Sequence, residues 1–165
     1  MLFRSAAITR FAQEYYAQVD PDVLRECNVQ DLYGAALSHW NLLRRFSPGA
    51  AKLRVTNPRL EEHGWQCGHT VVEIVNDDMP FLVDSVTMEA NRQGLTLHML
   101  IHPVLRIRRD ADGELVELLD AEATAGALQS VIHMEVDRQS DPQQLEQLQA
   151  GIERVLQDVR KAVED

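Results

Sequence analysis

The stretch His69–Gly94, HTVVEIVNDDMPFLVDSVTMEANRQG, narrows the choice of fold more than any other in the chain. Thr70, Val71, Val72, Ile74 and Val75 form a β-branched run, and such side chains pack best on a pleated strand. Asn76-Asp77-Asp78 breaks the run, and Pro80 suits the first turn of a helix, where its missing N–H costs nothing. Leu82, Val83, Val86 and Ala90 then recur at helical spacing up to Gly94, a C-terminal stop. A strand, an acidic elbow and a helix with one apolar side make the first half of a βαβ unit. The remaining segments are expected to pack on that unit.

Three helices are predicted upstream. Ile8, Phe11, Ala12, Tyr15 and Val19 share one stripe, and Asp20-Pro21 restarts the chain as a short helix through Arg25. Asn28 caps a third helix from about Val29 to Phe46, with Leu32, Ala36, Trp40 and Leu43 as its buried side. Ser47-Pro48-Gly49 ends it. From Ala51 the period changes to alternation, and Lys52–Thr56 reads as a half-buried strand. Trp65, between Gly64 and Gly68, is expected to cover one edge of the core.

Downstream of the elbow, Leu95 to Arg109 reads as one long strand. Leu97, Met99, Ile101, Leu105 and Ile107 point one way, and Thr96, His98, His102, Arg106 and Arg108 point the other. That alternation predicts one covered and one polar sheet face. Asp112-Gly113 turns the chain into Leu115–Leu119, a hairpin. Val131–Asp137 is a further strand, and Asp141-Pro142 opens a long helix carrying Leu145, Leu148, Ile152, Val155, Val159 and Val163. The order fits an α+β fold, a ferredoxin-like α/β plait: a mostly antiparallel sheet with helices on one face. It divides into an N-terminal helical annex, 1–49, and an α/β domain, 50–165. The plait's last strand does not follow the final helix. Either residues 52–56 take its edge position or it lies beyond Asp165, as expected of an excised domain.

Composition removes whole classes of function. At 165 residues the chain buries one core, and 45% hydrophobic with 25% charged residues is the make-up of an ordinary soluble protein. A net charge of −10 repels a nucleic-acid backbone, and Arg44-Arg45 is one solvated basic pair at a helix end. No apolar run approaches a membrane span, and the N-terminus lacks a signal-peptide core. Cys27 and Cys67 are too few for a disulfide framework or a four-ligand zinc site, and read as reduced thiols in a cytoplasmic protein.

The strand, acidic elbow with proline, and helix resemble the ACT-domain signature, in which a bound amino acid often sits at the elbow. Longer strings are more specific. Leu32-Tyr33-Gly34-Ala35-Ala36-Leu37-Ser38-His39-Trp40, Gly64-Trp65 followed by His69-Thr70-Val71-Val72-Glu73, Asp77-Asp78-Met79-Pro80-Phe81-Leu82-Val83-Asp84-Ser85-Val86 and His102-Pro103-Val104-Leu105 resemble the N-terminal region of the large bacterial NAD-specific glutamate dehydrogenases. The likeness runs from about Phe11 to the end. It implies an ACT-like regulatory and assembly module of a far longer, cytoplasmic subunit, whose dehydrogenase domain lies downstream. The full enzyme would oxidatively deaminate L-glutamate to 2-oxoglutarate and ammonia with NAD. Implied partners are other domains of the same subunit and further copies in a homo-oligomer. The alternative is an amino-acid sensor using Asn76, Asp77, Asp78, Met79, Phe81 and Asp84 at the elbow. Many ligand-binding ACT domains have glycine after the elbow proline. Phe81 stands there in this chain and is expected to fill the effector's space.

Other clusters have two readings each. Asp77, Asp78 and Asp84 either offset a helix dipole, worth about 0.3–1 kcal/mol each, or frame a site for an amino group or a cation, with backbone N–H groups of the elbow meeting a carboxylate. His98 and His102 share a strand face but sit roughly 13 Å apart, too far for one metal. His133 projects from another strand, which leaves a pair across the sheet open. All three are expected as solvent-facing or interface residues, with no metal site. Asp110-Ala111-Asp112-Gly113-Glu114 lacks the ligands of a calcium loop and is a hairpin turn. Without a Gly-x-Gly-x-x-Gly turn, or a nucleophile with a supporting histidine, this segment is expected to hold no cofactor and no catalytic residue.

Overall fold

Thr70–Asp77, the β-branched run, is strand β2, and the rest of the sheet forms around it in the computed structural model, which describes residues 2–164. Helices α1 (Leu2–Tyr16), α2 (Pro21–Arg25) and α3 (Val29–Leu43) precede β1 (Lys52–Thr56) and a single helical turn, α4 (Leu60–His63). After β2 come α5 (Leu82–Arg92), β3 (Leu97–Ile101), β4 (Val104–Arg109), β5 (Leu115–Leu119), β6 (Ala127–Val136) and α6 (Pro142–Glu164). The cap expected at Asn28 is in place, and two aspartates ahead of proline act in the same way. Asp20, Asn28 and Asp141 accept from the backbone N–H of Asp22, Gln30 and Gln143.

The sheet is antiparallel, in the order β1-β2-β6-β4-β5, with β3 also pairing β6. β2 and β6 are matched along their length, from Thr70 opposite Val136 to Asp77 opposite Gln129. β1 pairs β2 on its free side, Lys52 opposite Val75. The plait's missing edge strand is therefore supplied from before β2.

The expected single strand from Leu95 to Arg109 is two. His102-Pro103 interrupts it, because proline has no N–H to give the ladder, and β3 and β4 pair with successive halves of β6. A bulge between Leu97 and Met99 also shifts the alternation. Leu97 and Leu100 pack with the α5/α6 side, while Met99 and Ile101 pack with the opposite side.

α5 and α6 cover one face, closing Val72, Ile74, Ile132, Met134 and Val136 against Leu82, Val86, Leu148 and Ile152. The other face is not solvated. Phe11 and Tyr15 of α1 and Ala36, Trp40 and Leu43 of α3 bury Val75, Ile101, Leu105, Ile107 and Val131 there. Each such side chain contributes about 1.5–3 kcal/mol of burial, so the annex stripes supply a second core layer. Trp65 is 4% exposed and packs on Ala35 and Val71, closing the edge as expected. Gly34 makes that closure possible, since a Cβ there would meet the Trp65 side chain, with Cγ 2.6 Å away.

Candidate functional site

The end of β2 places the elbow. Asn76 is 1% exposed, and its Oδ1 accepts from Arg160 Nη2 of α6 at 2.7 Å. Both Arg160 Nη atoms also lie 3.4 Å from Asp77 Oδ2, which accepts from Gly49 N at 2.9 Å. Asp78 leaves in another direction. Its N–H donates to Leu128 O, and its Oδ1 accepts from Ser130 Oγ at 2.9 Å. His102 Nε2 is 3.4 Å from the same hydroxyl, and burial lowers the His102 pKa, with Asp78 opposing the shift.

Met79 packs against the α5/α6 core, and Asp84 stands exposed in the first turn of α5, where a carboxylate complements the helix dipole. Pro80 lies in the turn before α5 rather than in its first turn. Phe81 caps the helix with φ 73°, and Phe81 is the one positive-φ residue other than glycine among the described residues. A β-carbon in the left-handed region costs about 1–2 kcal/mol. The Phe81 side chain does not fill the elbow: the residue is 68% exposed. The structure thus brings Asn76 and Asp77 to Arg160 and Asp78 to Ser130 and His102, while Phe81 and Asp84 face solvent. A cleft of about 480 Å³ adjoins the first group, lined by Gly49, Lys52, Leu53, Leu156 and Arg160.

His98 and His102 have separate surroundings because of the bulge. The His98 ring stacks on His69, with centroids 4.1 Å apart and planes at 6°, and its Nε2 meets Asp137 Oδ1 at 2.6 Å. His133 is 1% exposed under the annex, edge-on to Tyr15, so the surface it meets is the chain's own helices.

That annex-side face carries a polar layer which the sequence reading missed. Tyr15 Oη is 2.8 Å from His39 Nδ1, and His39 Nε2 is 3.0 Å from Ile74 O. Burial pulls the His39 pKa down to about 4. Burial would raise the neighbouring Glu73, but His39 and Arg54 outweigh it and hold the carboxyl below its usual range. Farther along, Glu135 accepts from Cys67 Sγ and His69 Nδ1 at Oε1, each at 3.2 Å, and meets His133 Nε2 at Oε2 at 2.8 Å. Burial opposes ionisation of Glu135, yet His133 and His69 hold its pKa at about 2, and burial with Glu135 beside it pushes the Cys67 thiol up to about 12. The only cue in the sequence was Cys67-x-His69; Glu135 is 66 positions from His69.

Comparison with known proteins follows this geometry. Residues 11–152 match the family described as glutamate dehydrogenase, ACT1 domain. An NAD-specific glutamate dehydrogenase of Halomonas elongata is 44% identical over 164 residues, covering 98% of this chain and 10% of that protein. One of Pseudomonas aeruginosa is 41% identical over 160 residues, covering 96% of this chain and 10% of that protein. The chain spans about a tenth of the length of the curated relatives it matches. No solved structure matches it.

Proposed function

The chain belongs to the glutamate dehydrogenase ACT1 domain family, and from that premise we propose that it is the N-terminal regulatory and assembly module of a large, cytoplasmic NAD-specific glutamate dehydrogenase. The complete enzyme oxidatively deaminates L-glutamate to 2-oxoglutarate and ammonia, and this segment takes no part in the chemistry. NAD belongs to the downstream part. The β2–α5 turn, where a dinucleotide's pyrophosphate would sit, presents Asp77 and Asp78 in place of glycines, so these residues do not fit the cofactor.

The observation that carries the assembly reading is Phe81. A strained, left-handed residue that leaves its aromatic ring in water is a poor bargain for this chain alone. It is a good anchor for a neighbouring surface, since aromatic side chains dominate contact energies. Its partner is another domain of the same large subunit, because about nine-tenths of the relatives' length lies outside the match. Met88, also 68% exposed and seven positions along, is a second exposed apolar side chain on the outer side of α5.

The test uses the full-length enzyme. Phe81→Gly removes the strain and the ring together, so the isolated chain is expected to stay within about 1 kcal/mol of its original stability. The full-length variant is expected to assemble or respond to effectors abnormally. Normal assembly and regulation would sink the proposal. The competing amino-acid sensor is checked by calorimetry with the twenty amino acids; heat abolished by Arg160→Met would favour it, and no heat with any of them rejects it for this segment.

A further inference from the structure

Cys67, His69 and Glu135 form a compact set of unlike donors where the chain enters β2 and leaves β6, at the side of the sheet the annex covers. Their Sγ, Nδ1 and Oε1 atoms lie within 4.8 Å of one another, and both contacts to Oε1 are 3.2 Å. With bond lengths of about 2.0–2.3 Å, the edges of a tetrahedron around zinc are about 3.3–3.6 Å, so small side-chain shifts convert this hydrogen-bonded set into a coordination shell. We propose that these three residues bind one Zn²⁺, with water as the fourth ligand.

Two further features fit a metal. A cavity of about 170 Å³ opens beside the donors, lined by Cys27, Asp31, Cys67, His133 and Glu135, with room for the ion and its water. The outer groups are already oriented: His133 Nε2 holds the second oxygen of Glu135, and His98 stacks on the His69 ring. Charge closes as well. Zn²⁺ displaces the thiol proton to solvent, the His69 ring proton passes from Nδ1 to Nε2 so that Nδ1 can ligate, and one thiolate with one carboxylate neutralises the ion. The thiol, imidazole and carboxylate mixture suits zinc, and oxygen-seeking Ca²⁺ and Mg²⁺ far less.

The 165-residue chain, stripped of metal, is titrated with Zn²⁺ alone and in parallel with Co²⁺. One equivalent of zinc is expected to survive gel filtration, and the cobalt adduct is expected to show a thiolate charge-transfer band with the visible bands of a tetrahedral site. Cys67→Ala should abolish the charge-transfer band and weaken zinc binding by more than about 100-fold. His133→Gln removes only an outer partner and should weaken it roughly 10–100-fold while keeping the band. Cys27→Ser should keep both. A folded wild-type chain that retains no zinc overturns the proposal, as does a cobalt band that survives Cys67→Ala or disappears with Cys27→Ser. Circular dichroism checks the fold of each variant, and the wild-type and Cys27→Ser results decide the matter even if Cys67→Ala does not fold.

Discussion

Arg160 hydrogen-bonds α6 to the elbow residues Asn76 and Asp77, and its removal has a calculable cost. Arg160→Met keeps the length of the stem and the helix propensity but deletes the guanidinium. Asn76 Oδ1 then loses its 2.7 Å charge-assisted partner inside a residue 1% exposed, which costs about 1–3 kcal/mol. Asp77 fares better. Its side chain is 26% exposed and keeps the Gly49 N–H, so the two 3.4 Å contacts contribute at most about 1 kcal/mol. The parts sum to about 1–4 kcal/mol, with about 2–3 kcal/mol as the central expectation.

For a chain of this size that loss lowers Tm by roughly 4–12 °C, and at an m-value of about 2 kcal/mol/M it moves the urea midpoint by roughly 1–1.5 M. A double-mutant cycle with Asn76→Ala isolates the pair and is expected to give about 1–2 kcal/mol of coupling. A loss under about 0.5 kcal/mol for Arg160→Met, or no coupling in the cycle, would refute the view that α6 is fastened to the elbow through this residue.

Two further outcomes are expected. Gly34→Ala should destabilise the chain by about 1–3 kcal/mol and alter tryptophan fluorescence, because the new methyl group displaces Trp65 from its seat on Ala35 and Val71; unchanged emission and Tm would argue against that packing. His39 titrates at about 4 when folded against about 6.5 when unfolded, so the unfolded chain binds more protons between those values. Its contribution is complete above pH 6.5 and is lost as the pH falls towards 4, about 2 kcal/mol between pH 7 and 4.5. Urea melts of His39→Gln should show that much less pH dependence over the window, and an identical slope would count against the neutral, buried ring.

The elbow was readable because every signal for it lies within a few residues: the β-branched run, the acids, the proline and the helical spacing. What the elbow does with its acids was not. Asn76 and Arg160 are 84 positions apart, and no local pattern couples them. The same holds for Glu135, which meets Cys67 from 68 positions away. The polar face failed for a different reason. Strict alternation from Leu95 to Arg109 assumes an unbroken pleat, and the bulge at Leu97/Met99 with Pro103 resets it, so residues assigned one face lie on two. The annex then buries what looked solvated, and Tyr15, His39 and Glu73 meet there as partners. Phe81 misled in the opposite way. Its bulk suggested a filled pocket, but a glycine-like backbone turns the ring outward.

These contacts also bound how strongly the module could regulate an enzyme. If the module regulates the enzyme and a signal entering at Phe81 passes to α6 through Asn76, Asp77 and Arg160, the coupled equilibrium shifts only by the difference in interaction energy between its two states. If the Arg160 tether is made in one state and broken in the other, its about 2–3 kcal/mol sets the ceiling, a roughly 30–150-fold change in the coupled equilibrium. Partial breakage gives less. A full-length enzyme whose response to loss of this module exceeds that range would have to route the excess through other contacts, and Arg160→Met would then leave most of the response intact. If the elbow is the route, the same substitution removes the response while the sheet and its two helical layers stay folded.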